Sequence, residues 1–426
     1  MSQSSPSIPG RWQRRVAMIV GAGYPLGLLV AWLVLRLSGE GWWLPLVGLY
    51  APPVGFLFPA PLALLATWRW ATRRWFVLQL AAILFALFSL LGLELGLGHD
   101  GRAAQDPRAI RLVSYNIDLG YHGVPAIAAQ VMKLQPNLVL LQEAHDGLAA
   151  ELRQAFADWH IDQRDQFFIA SRFPLLEVKP PAPLHYQAGK GRREGDGGAH
   201  FMGYTLASDL GPIDVFSVHT TSPREGLEDM RGGGFLYELR HGHVLLGRGA
   251  DTLTFNAYRR RRQIEGVAEA VRASSHPVIV AGDLNLPAMS RIVRDNLDDL
   301  DDAFASTGRG LGYTYPTKLP FLRIDRIFTG RGLRAVDFHI GDTPASDHLC
   351  ISAVITVEGS PVARTPTSPN AGQIGTAPGY AIVARCAQTS DYLGLSYRTD
   401  WVRWHASLRL WAGARSTSGG IRHRRG

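Results

Sequence analysis

The sequence predicts a membrane anchor followed by a mixed α/β domain. Three long apolar runs occupy the first 98 residues, and short β-rich runs alternate with helical patterns over residues 109–357. Most of the β-rich runs end in carboxylate, amide or imidazole side chains. We therefore expect a folded domain that carries its chemistry at the ends of its strands.

The apolar runs comprise residues 16–37, about 44–67 and about 75–98. Each is close to the ~20 residues that a helix needs to cross a bilayer, so we interpret them as three transmembrane helices. A signal peptide followed by buried helices is the alternative, but three such runs leave no room for a soluble fold. Pro52 and Pro53 fall inside the second run and are expected to bend or break its helix.

Basic residues predict the orientation of these helices. RWQRR precedes the first run and RWATRR separates the second from the third, whereas the connection SGEG contains no Lys or Arg. Because cytoplasmic loops are enriched in Lys and Arg, we expect the N-terminus and the second loop in the cytoplasm. Three crossings then predict a multi-pass protein of the cell membrane whose folded domain is extracytoplasmic.

Charge is distributed unevenly along the chain. Residues 1–98 carry a net charge of +5 and residues 359–426 a net charge of +7, so the whole-chain charge of +8 leaves −4 for residues 99–358. The basic pI therefore belongs to the ends and does not indicate nucleic-acid binding by the middle. The two cysteines, Cys350 and Cys386, offer neither a disulfide framework nor a thiolate metal site.

These patterns divide the chain into four parts: an anchor at residues 1–98, a polar linker at 99–108, a folded domain at 109–357 and a tail at 358–426. The tail opens with a Pro/Ser/Thr/Gly-rich stretch that predicts disorder. Its remainder either contacts anionic lipid headgroups or is a non-native extension from a reading-frame error, and we favour the second explanation.

The first strands of the domain end in polar residues. RLVSYN predicts a strand ending at Asn116, and a helix over residues 124–134 leads to the apolar strand LVLLQ, which Glu143 follows. A buried carboxylate is costly unless it pairs with a charge or binds a cation, so Glu143 favours such a partner. Asn116 alone is better explained as a satisfied core amide.

Three further β-rich runs follow: FFIASRFPL, HFMGYTLA and IDVFSVH. The Gly-rich stretch at residues 189–200, between the first two, predicts a surface loop. His219 ends the third run, where a lone histidine is more often structural than catalytic. The insertion at residues 224–255 contains His241 and His243, which we interpret as exposed loop residues because two histidines alone are a weak metal motif.

A helix over residues 256–274 precedes the central strand. Four consecutive arginines, 259–262, wrap around the start of this helix, so most of them are expected in solvent. VIVAGDLNLP at 278–287 then predicts a buried strand with Asp283 and Asn285 pointing the same way at its end. For this segment alone, a core strand followed by an Asp/Asn turn is the alternative.

Two more polar motifs complete the domain. RIDRIF carries Asp325 among apolar neighbours, and SDHLCISAVITV places Asp347 and His348 immediately before a buried strand. A turn alone would explain an Asp-His pair at such a junction. Beside the other motifs, a functional role is favoured.

Together these motifs resemble the endonuclease/exonuclease/phosphatase superfamily. The residues that carry the resemblance are YNI, LQE, the strand ending in His219, GDLN, IDRIF and SDH, which occur in the family order within residues 109–357. The resemblance implies a four-layer α/β sandwich, in which two mostly antiparallel sheets pack between layers of helices. It also implies a site at one edge of the sheets.

The resemblance implies a divalent metal ion at this site. Glu143, helped by Asn116 and Asp347, would hold Mg²⁺ or Mn²⁺, since such cations prefer oxygen ligands. The ion would bind a phosphate oxygen and offset the charge that develops there.

The resemblance also implies catalytic roles. His348, oriented by Asp325, would act as general base or stabilise the pentacovalent state. Asp283 would position or deprotonate the attacking water, and Asn285 would hold the phosphate. The sequence leaves open whether Asp283 or His348 takes the proton.

Local residues narrow the substrate. Family members related to deoxyribonuclease I, sphingomyelinases and phosphatases have a histidine where this chain has His219, whereas abasic-site endonucleases have Asn-x-Tyr, so we argue against abasic-site repair. Arg326 departs from the family pattern, because an aromatic residue often follows the aspartate; this puts in doubt only substrate contacts near Asp325.

We therefore expect a membrane-anchored phosphoesterase. A lipid headgroup or small phosphoester is favoured as substrate, because the domain has a net negative charge and is tethered near the bilayer, and GGGFLYEL in the insertion would supply an apolar lip. An extracytoplasmic nuclease acting on DNA or RNA is the alternative. A non-catalytic binding module is disfavoured, since none of the acidic or imidazole motif positions is missing.

Overall fold

The computed structural model describes most of the anchor and the folded domain. The described residues are 10–188, 192–195, 198–224, 227, 248–342 and 345–359. The predicted tail beyond residue 359, the pair His241 and His243 and the GGGFLYEL segment lie outside the described residues.

Sixteen strands are present in the described part of the chain. They are β1 (Glu94–Leu95), β2 (Ile110–Asn116), β3 (Leu138–Gln142), β4 (His160–Arg164), β5 (Phe167–Ser171), β6 (Leu175–Lys179), β7 (His185–Ala188), β8 (Arg192–Gly195), β9 (Phe201–Ser208), β10 (Gly211–His219), β11 (Val278–Asp283), β12 (Asp301–Asp302), β13 (Arg309–Gly310), β14 (Asp325–Gly330), β15 (Leu333–Ile340) and β16 (Ile351–Val357). Eight of them coincide with predicted strands, namely β2, β3, β5, β9, β10, β11, β14 and β16, and the other eight were not predicted.

Two six-stranded sheets form the body of the domain, as the four-layer prediction requires. One sheet has the order β12-β14-β11-β10-β9-β6 and the other β15-β16-β2-β3-β5-β4. Only the pairs β10/β11 and β2/β3 are parallel, so both sheets are mostly antiparallel. The predicted fold class is confirmed.

Helices cover the outer faces of both sheets. The α-helices are α1 (Arg11–Ser38), α2 (Trp43–Tyr50), α3 (Ala60–Trp70), α4 (Arg73–Phe85), α5 (Val124–Lys133), α6 (Ala149–Ala155), α7 (Arg248–Ala273), α8 (Arg291–Asn296) and α9 (Ala303–Thr307). In β11, Ile279 and Ala281 face the core between the sheets, whereas Val278 and Val280 belong to the cluster that contains residues of α7. Burial on both faces explains why this strand is continuously apolar.

The membrane segment differs in part from three straight helices. Two helical stretches, Arg11–Gly41 and Arg73–Leu90, are long and apolar enough to cross a bilayer. The second run is bent by 93° between Trp43–Tyr50 and Pro53–Trp70, so it counts as a third span only if this bent pair is one. The break predicted at Pro52 and Pro53 is therefore confirmed.

Two predicted boundaries need correction. The third apolar run does not stay helical to residue 98: its helix ends at Leu90, and Glu94–Leu95 form β1, which pairs with β13. In the Gly-rich stretch predicted as a surface loop, β8 pairs with β7 in a hairpin. In both places the strand forms because its backbone pairs with another segment, β13 for β1 and β7 for β8. Local composition does not reveal such pairing.

The anchor and the domain share one hydrophobic core. Trp43, Leu46 and Leu90 of the anchor cluster with Leu322 and Ile324 of the domain. The stretch predicted as a polar linker is also held in place: the backbone N–H of Asp100 donates to the Val336 carbonyl (2.9 Å), and its carboxylate pairs with Arg334 (3.2 Å). Backbone and side-chain contacts thus join two parts that composition separates.

Candidate active site

The register of three adjacent strands aligns three of the predicted site residues. His219 at the end of β10 is the Cα partner of Asp283 at the end of β11, and Asp283 is in turn the partner of Asp325 at the start of β14. Residues paired across neighbouring strands point to the same face of a sheet. This register therefore gathers an imidazole and two carboxylates at one edge.

The other sheet contributes Asn116 and Glu143. Asn116 ends β2 and is paired with Gln142, so Glu143 lies next to it at the same edge. The Asn116 side-chain amide donates to Glu143 Oε1 (3.0 Å) and to Asp283 Oδ2 (3.1 Å). Asn116 consequently links the two sheets at the site.

Asp283 is the most enclosed carboxylate of the site, with 1% of its surface exposed. Its Oδ1 accepts the backbone N–H of Asn285 (2.8 Å), and its Oδ2 accepts the Asn285 side-chain amide (3.2 Å). His348 Nε2 and His219 Nε2 lie 3.6 Å and 3.7 Å from the same Oδ2. Two imidazoles therefore flank one buried, hydrogen-bonded carboxylate.

His348 is oriented by Asp325, as predicted. Its Nδ1 donates to Asp325 Oδ2 (2.9 Å), which also accepts from the Thr314 hydroxyl (2.6 Å). Burial by itself would lower the pKa of His348, but the charges of Asp325 and Asp283 outweigh it and raise the pKa to about 10. The Tyr315 ring lies 4.7 Å from the imidazole and covers one of its sides.

Gln166 orients His219, a contact that the sequence did not indicate. Gln166 Oε1 lies 2.5 Å from His219 Nδ1, and because a carbonyl oxygen only accepts, Nδ1 carries the hydrogen. The other ring nitrogen then faces Glu143 Oε1 at 3.5 Å. Gln166 precedes β5, and no local pattern connects it with a histidine that lies 53 positions later.

Asp118 is a further acidic residue that sequence reasoning passed over. It lies two residues after Asn116, and its pKa is raised by burial and by the charge of Glu143. Burial also raises the pKa of Asp347, and Asp118 and Glu143 raise it further against the opposing charge of His348. The YNID sequence was the available signal, since it puts a carboxylate directly behind the predicted amide.

Asp118, Glu143 and Asp347 are the acidic residues near the site whose oxygen atoms suit a hard divalent cation. Asp118, Glu143 and Asp347 supply oxygen atoms, and their mutual repulsion is what a bound Mg²⁺ or Mn²⁺ would relieve. Asp118 and Glu143 also have left-handed backbone angles, with φ of 46° and 58°, which non-glycine residues adopt at some cost. The fold therefore holds these carboxylates in place against local preference.

A second group of potential ligands lies beside them. Atoms of Asp283, Asp325 and His348 come within 4.8 Å of one another. This group is already joined by the hydrogen bond between His348 and Asp325, and it includes a nitrogen donor. These three residues are the candidate metal group of the described part of the chain, and the metal ligands predicted from the sequence, Asn116, Glu143 and Asp347, lie outside it.

Arg326, the departure from the family pattern, points away from the site. It is 7% exposed, and its guanidinium binds Asp302 on β12 (2.5 Å). Asp302 also binds Arg323 (2.7 Å). Arg326 consequently supports the strand that carries Asp325. Its pairing with Asp302 turns its guanidinium away from the position where a substrate contact near Asp325 was in doubt.

All eight predicted site residues meet at one edge of the two sheets. They are Asn116, Glu143, His219, Asp283, Asn285, Asp325, Asp347 and His348. A family model described as "Endonuclease/Exonuclease/phosphatase family" matches residues 113–348, which is more than half of the chain. The chain belongs to the endonuclease/exonuclease/phosphatase family. Membership identifies it as a hydrolase of phosphate esters.

Solved structures of the family are similar in fold. Humanized D. rerio TDP2 is 17% identical, with 59% of this chain and 100% of that chain covered and a TM-score of 0.42. A family member from Bacteroides vulgatus is 13% identical, with 59% and 99% covered and a TM-score of 0.43. The mannosyl-6-phosphatase of Bacteroides thetaiotaomicron is 14% identical, with 58% and 99% covered and a TM-score of 0.39. No curated protein matches the chain.

Proposed function

We propose that this chain is a membrane-anchored, divalent-metal-dependent phosphoesterase in which Asp283 directs the attack of water on phosphorus. The observation that carries the proposal is the surroundings of Asp283: a buried carboxylate, fixed by Asn285 and Asn116, with two imidazole nitrogens within 3.7 Å. Such a group can orient a water molecule and accept its proton.

Glu143 and Asp347, with Asn116 and Asp118 beside them, would hold the metal ion. When bound, Mg²⁺ or Mn²⁺ supplies a positive charge for a phosphate oxygen. The side-chain amide of Asn116 donates to Glu143 (3.0 Å), and its oxygen accepts the backbone N–H of Asp118 (3.1 Å), so Asn116 fixes two of these acidic residues. Asn116 joins these residues to the carboxylate of Asp283. One phosphate group could therefore contact the metal ion and the water molecule oriented by Asp283.

His348 and His219 would face the negative charge of the reacting phosphate. Each uses Nδ1 to bind an orienting partner, Asp325 or Gln166, and each turns Nε2 toward Asp283. This division leaves Asp283 to take the proton of water, while the imidazoles stabilise the oxygen atoms of the transition state. Asn285 was expected to hold the phosphate, but its side-chain amide donates to the Thr220 carbonyl (2.9 Å) and to Asp283 Oδ2 (3.2 Å), so we assign it instead to fixing Asp283.

Helix directions support an extracytoplasmic domain. Domain residues bind the C-terminal ends of α1 and of the Arg73–Leu90 stretch: Arg291 donates to the Leu37 carbonyl (2.7 Å) and Tyr313 to the Leu91 carbonyl (2.9 Å). At the opposite end, Gln79 donates to the Gly21 carbonyl (2.9 Å). The two helices are therefore parallel, and the arginines of RWQRR and RWATRR lie at the end away from the domain, which the positive-inside rule assigns to the cytoplasm.

A phosphate ester on a lipid headgroup, or a small phosphoester, is the substrate class that we propose. The domain is held directly against the membrane helices, and residues 99–358 carry a net charge of −4. Nucleic-acid binding draws much of its affinity from basic residues that neutralise phosphates, and this net charge disfavours it. Nuclease activity is the alternative outcome of the experiment below.

Hydrolysis by the full chain in detergent or nanodiscs tests the proposal. Phospholipid vesicles, a chromogenic phosphodiester and plasmid DNA should be compared with Mg²⁺, Mn²⁺ or a chelator. Asp283→Asn and His348→Ala are expected to abolish metal-dependent turnover, whereas the matched exposed substitutions Asp209→Asn and His339→Ala should not. Preferred cleavage of plasmid DNA would replace the lipid proposal, and metal binding without turnover on any substrate would favour a binding module.

A further inference from the structure

The break in the second apolar run places α2 against the catalytic domain. Trp43 and Leu46 are buried in the cluster shared with the domain, and Tyr50, the last residue of α2, is 7% exposed. The Tyr50 hydroxyl donates to the backbone carbonyl of Asn285 at 2.6 Å. A residue of the anchor thus reaches the loop that follows Asp283.

This carbonyl belongs to a residue that already fixes the Asp283 carboxylate. The backbone N–H of Asn285 donates to Asp283 Oδ1 and its side-chain amide to Oδ2. Asn285 has a φ of 49°, in the left-handed region that asparagine tolerates better than most residues. The bond from Tyr50 holds the next peptide group, so the orientation of Asn285 is constrained on both sides.

Other contacts hold Tyr50 and its segment in place. The guanidinium of Arg260, fully buried although the arginine run was predicted to be mostly in solvent, lies 5.5 Å from the centre of the Tyr50 ring. Glu40, at the start of the same segment, accepts the backbone N–H of Arg291 (3.0 Å). The chain between Asn285 and Arg291 is therefore bound to the anchor at both of its ends.

A hydrogen bond such as that of Tyr50 could also serve only to attach the domain to the anchor. Tyr313 makes a bond of that kind and allows a comparison. The Tyr313 hydroxyl donates to the Leu91 carbonyl at 2.9 Å, so it too joins the domain to the anchor through a phenol and a backbone carbonyl. The carbonyl that it binds is in the anchor and not in the catalytic loop. Tyr50 therefore binds the loop at Asp283, whereas the bond of Tyr313 lies outside that loop, and Tyr50 is also the more buried of the two.

We infer that Tyr50 is a positioning residue for the catalytic loop, so that the membrane anchor completes the active site and does more than localise it. The inference rests on the proposed function, in which Asp283 directs the attacking water. Removing the hydroxyl leaves Asp283, the metal ligands and the substrate contacts in place. It releases only the constraint on the peptide that orients Asn285.

Tyr50→Phe and Tyr313→Phe in the full chain test the inference. For Tyr50→Phe, kcat is expected to fall about tenfold or more, because small misplacements of reacting groups are costly, while KM and the metal affinity stay unchanged. Hydrogen exchange of the peptide that covers residues 283–286 should accelerate in the same variant. Tyr313→Phe is expected to change neither kcat nor exchange at residues 283–286, with a similar shift in melting temperature.

Either of two results would overturn the inference. One is a Tyr50→Phe enzyme with wild-type kcat and unchanged exchange at residues 283–286. The other is an equal loss of kcat in both variants, which would make Tyr50 a tether like Tyr313. If the wild-type chain hydrolyses no phosphate ester, the proposed function fails, and hydrogen exchange still decides whether Tyr50 orders the catalytic loop.

Discussion

Asp302 is expected to contribute more to stability than any surface ion pair of the domain. Its carboxylate binds the guanidinium groups of Arg323 and Arg326, all three side chains are at most 11% exposed, and its Oδ1 also accepts the backbone N–H of Phe304 at the start of α9. Asp302→Asn keeps the size and the helix cap but removes the charge. Two buried arginines then lose their partner.

The expected loss follows from the burial of the pair. Removing one partner of a buried ion pair costs about 3–5 kcal/mol, whereas exposed pairs contribute about 0–1 kcal/mol. Burial would raise the pKa of Asp302, but Arg323 and Arg326 outweigh it and hold the pKa far below its usual value. Because the folded pKa is depressed, the stabilisation is complete above the unfolded pKa near 4 and is lost as the pH falls below it.

Urea unfolding of the full chain in detergent, at pH 7 and at pH 4, measures this contribution. Asp302→Asn should lower the free energy of unfolding by about 3–5 kcal/mol at pH 7. At pH 4 the loss should be only slightly smaller, because the stabilisation declines mainly below the unfolded pKa. Glu265→Gln, which removes an exposed pair with Arg262 on α7, is the control and should cost under about 1 kcal/mol. A loss at Asp302 no larger than that of the control would refute the argument.

Three other outcomes are expected. Asp118→Asn should weaken Mg²⁺ binding, measured by calorimetry, because one of three mutually repelling carboxylates is removed; unchanged affinity would exclude Asp118 from the metal site. Gln166→Leu frees the His219 ring and should lower kcat about tenfold without a change in metal affinity, whereas Gln154→Leu, at an exposed position on α6, should not. Residues 99–359 expressed alone should aggregate in size-exclusion chromatography, because Leu322 and Ile324 lose their cover from the anchor; a monodisperse domain would contradict the shared core.

Eight strand positions were predictable because their signal is local, whereas the eight candidate site residues were assigned through the family resemblance, since local reasoning favoured structural roles for Asn116 and His219. A β-branched run followed by a polar residue describes the ends of β2, β3, β10 and β11, and strand ends lie at one edge once the sheets form. The order of these motifs along the chain then indicated the resemblance to the endonuclease/exonuclease/phosphatase family. The break at Pro52 was equally local, since proline removes a backbone donor wherever it stands.

The missed residues depend on contacts between distant segments. Gln166 and Tyr50 have no pattern around them, and their roles exist only because the fold places them beside His219 and Asn285. Most of the arginines at 259–262 were expected in solvent because they wrap around the helix start, and the sequence did not single out Arg260 as the buried one. An apolar run is equally suited to lipid and to protein, so α2 did not reveal that it packs on the domain.

The absence of a free stalk in the described stretch from Leu90 to Ile110 has a mechanical consequence. β1 pairs with β13, and the backbone N–H groups of Gly98 and Asp100 donate to carbonyls of the domain. These bonds hold the catalytic domain directly against the two parallel helices. If the two helices cross a bilayer, as we propose, the catalytic domain is held at a fixed height above it, and its substrates would be molecules that reach that height by lateral diffusion. Glycines inserted between Leu90 and Ile110 would then move the reaction away from the membrane surface.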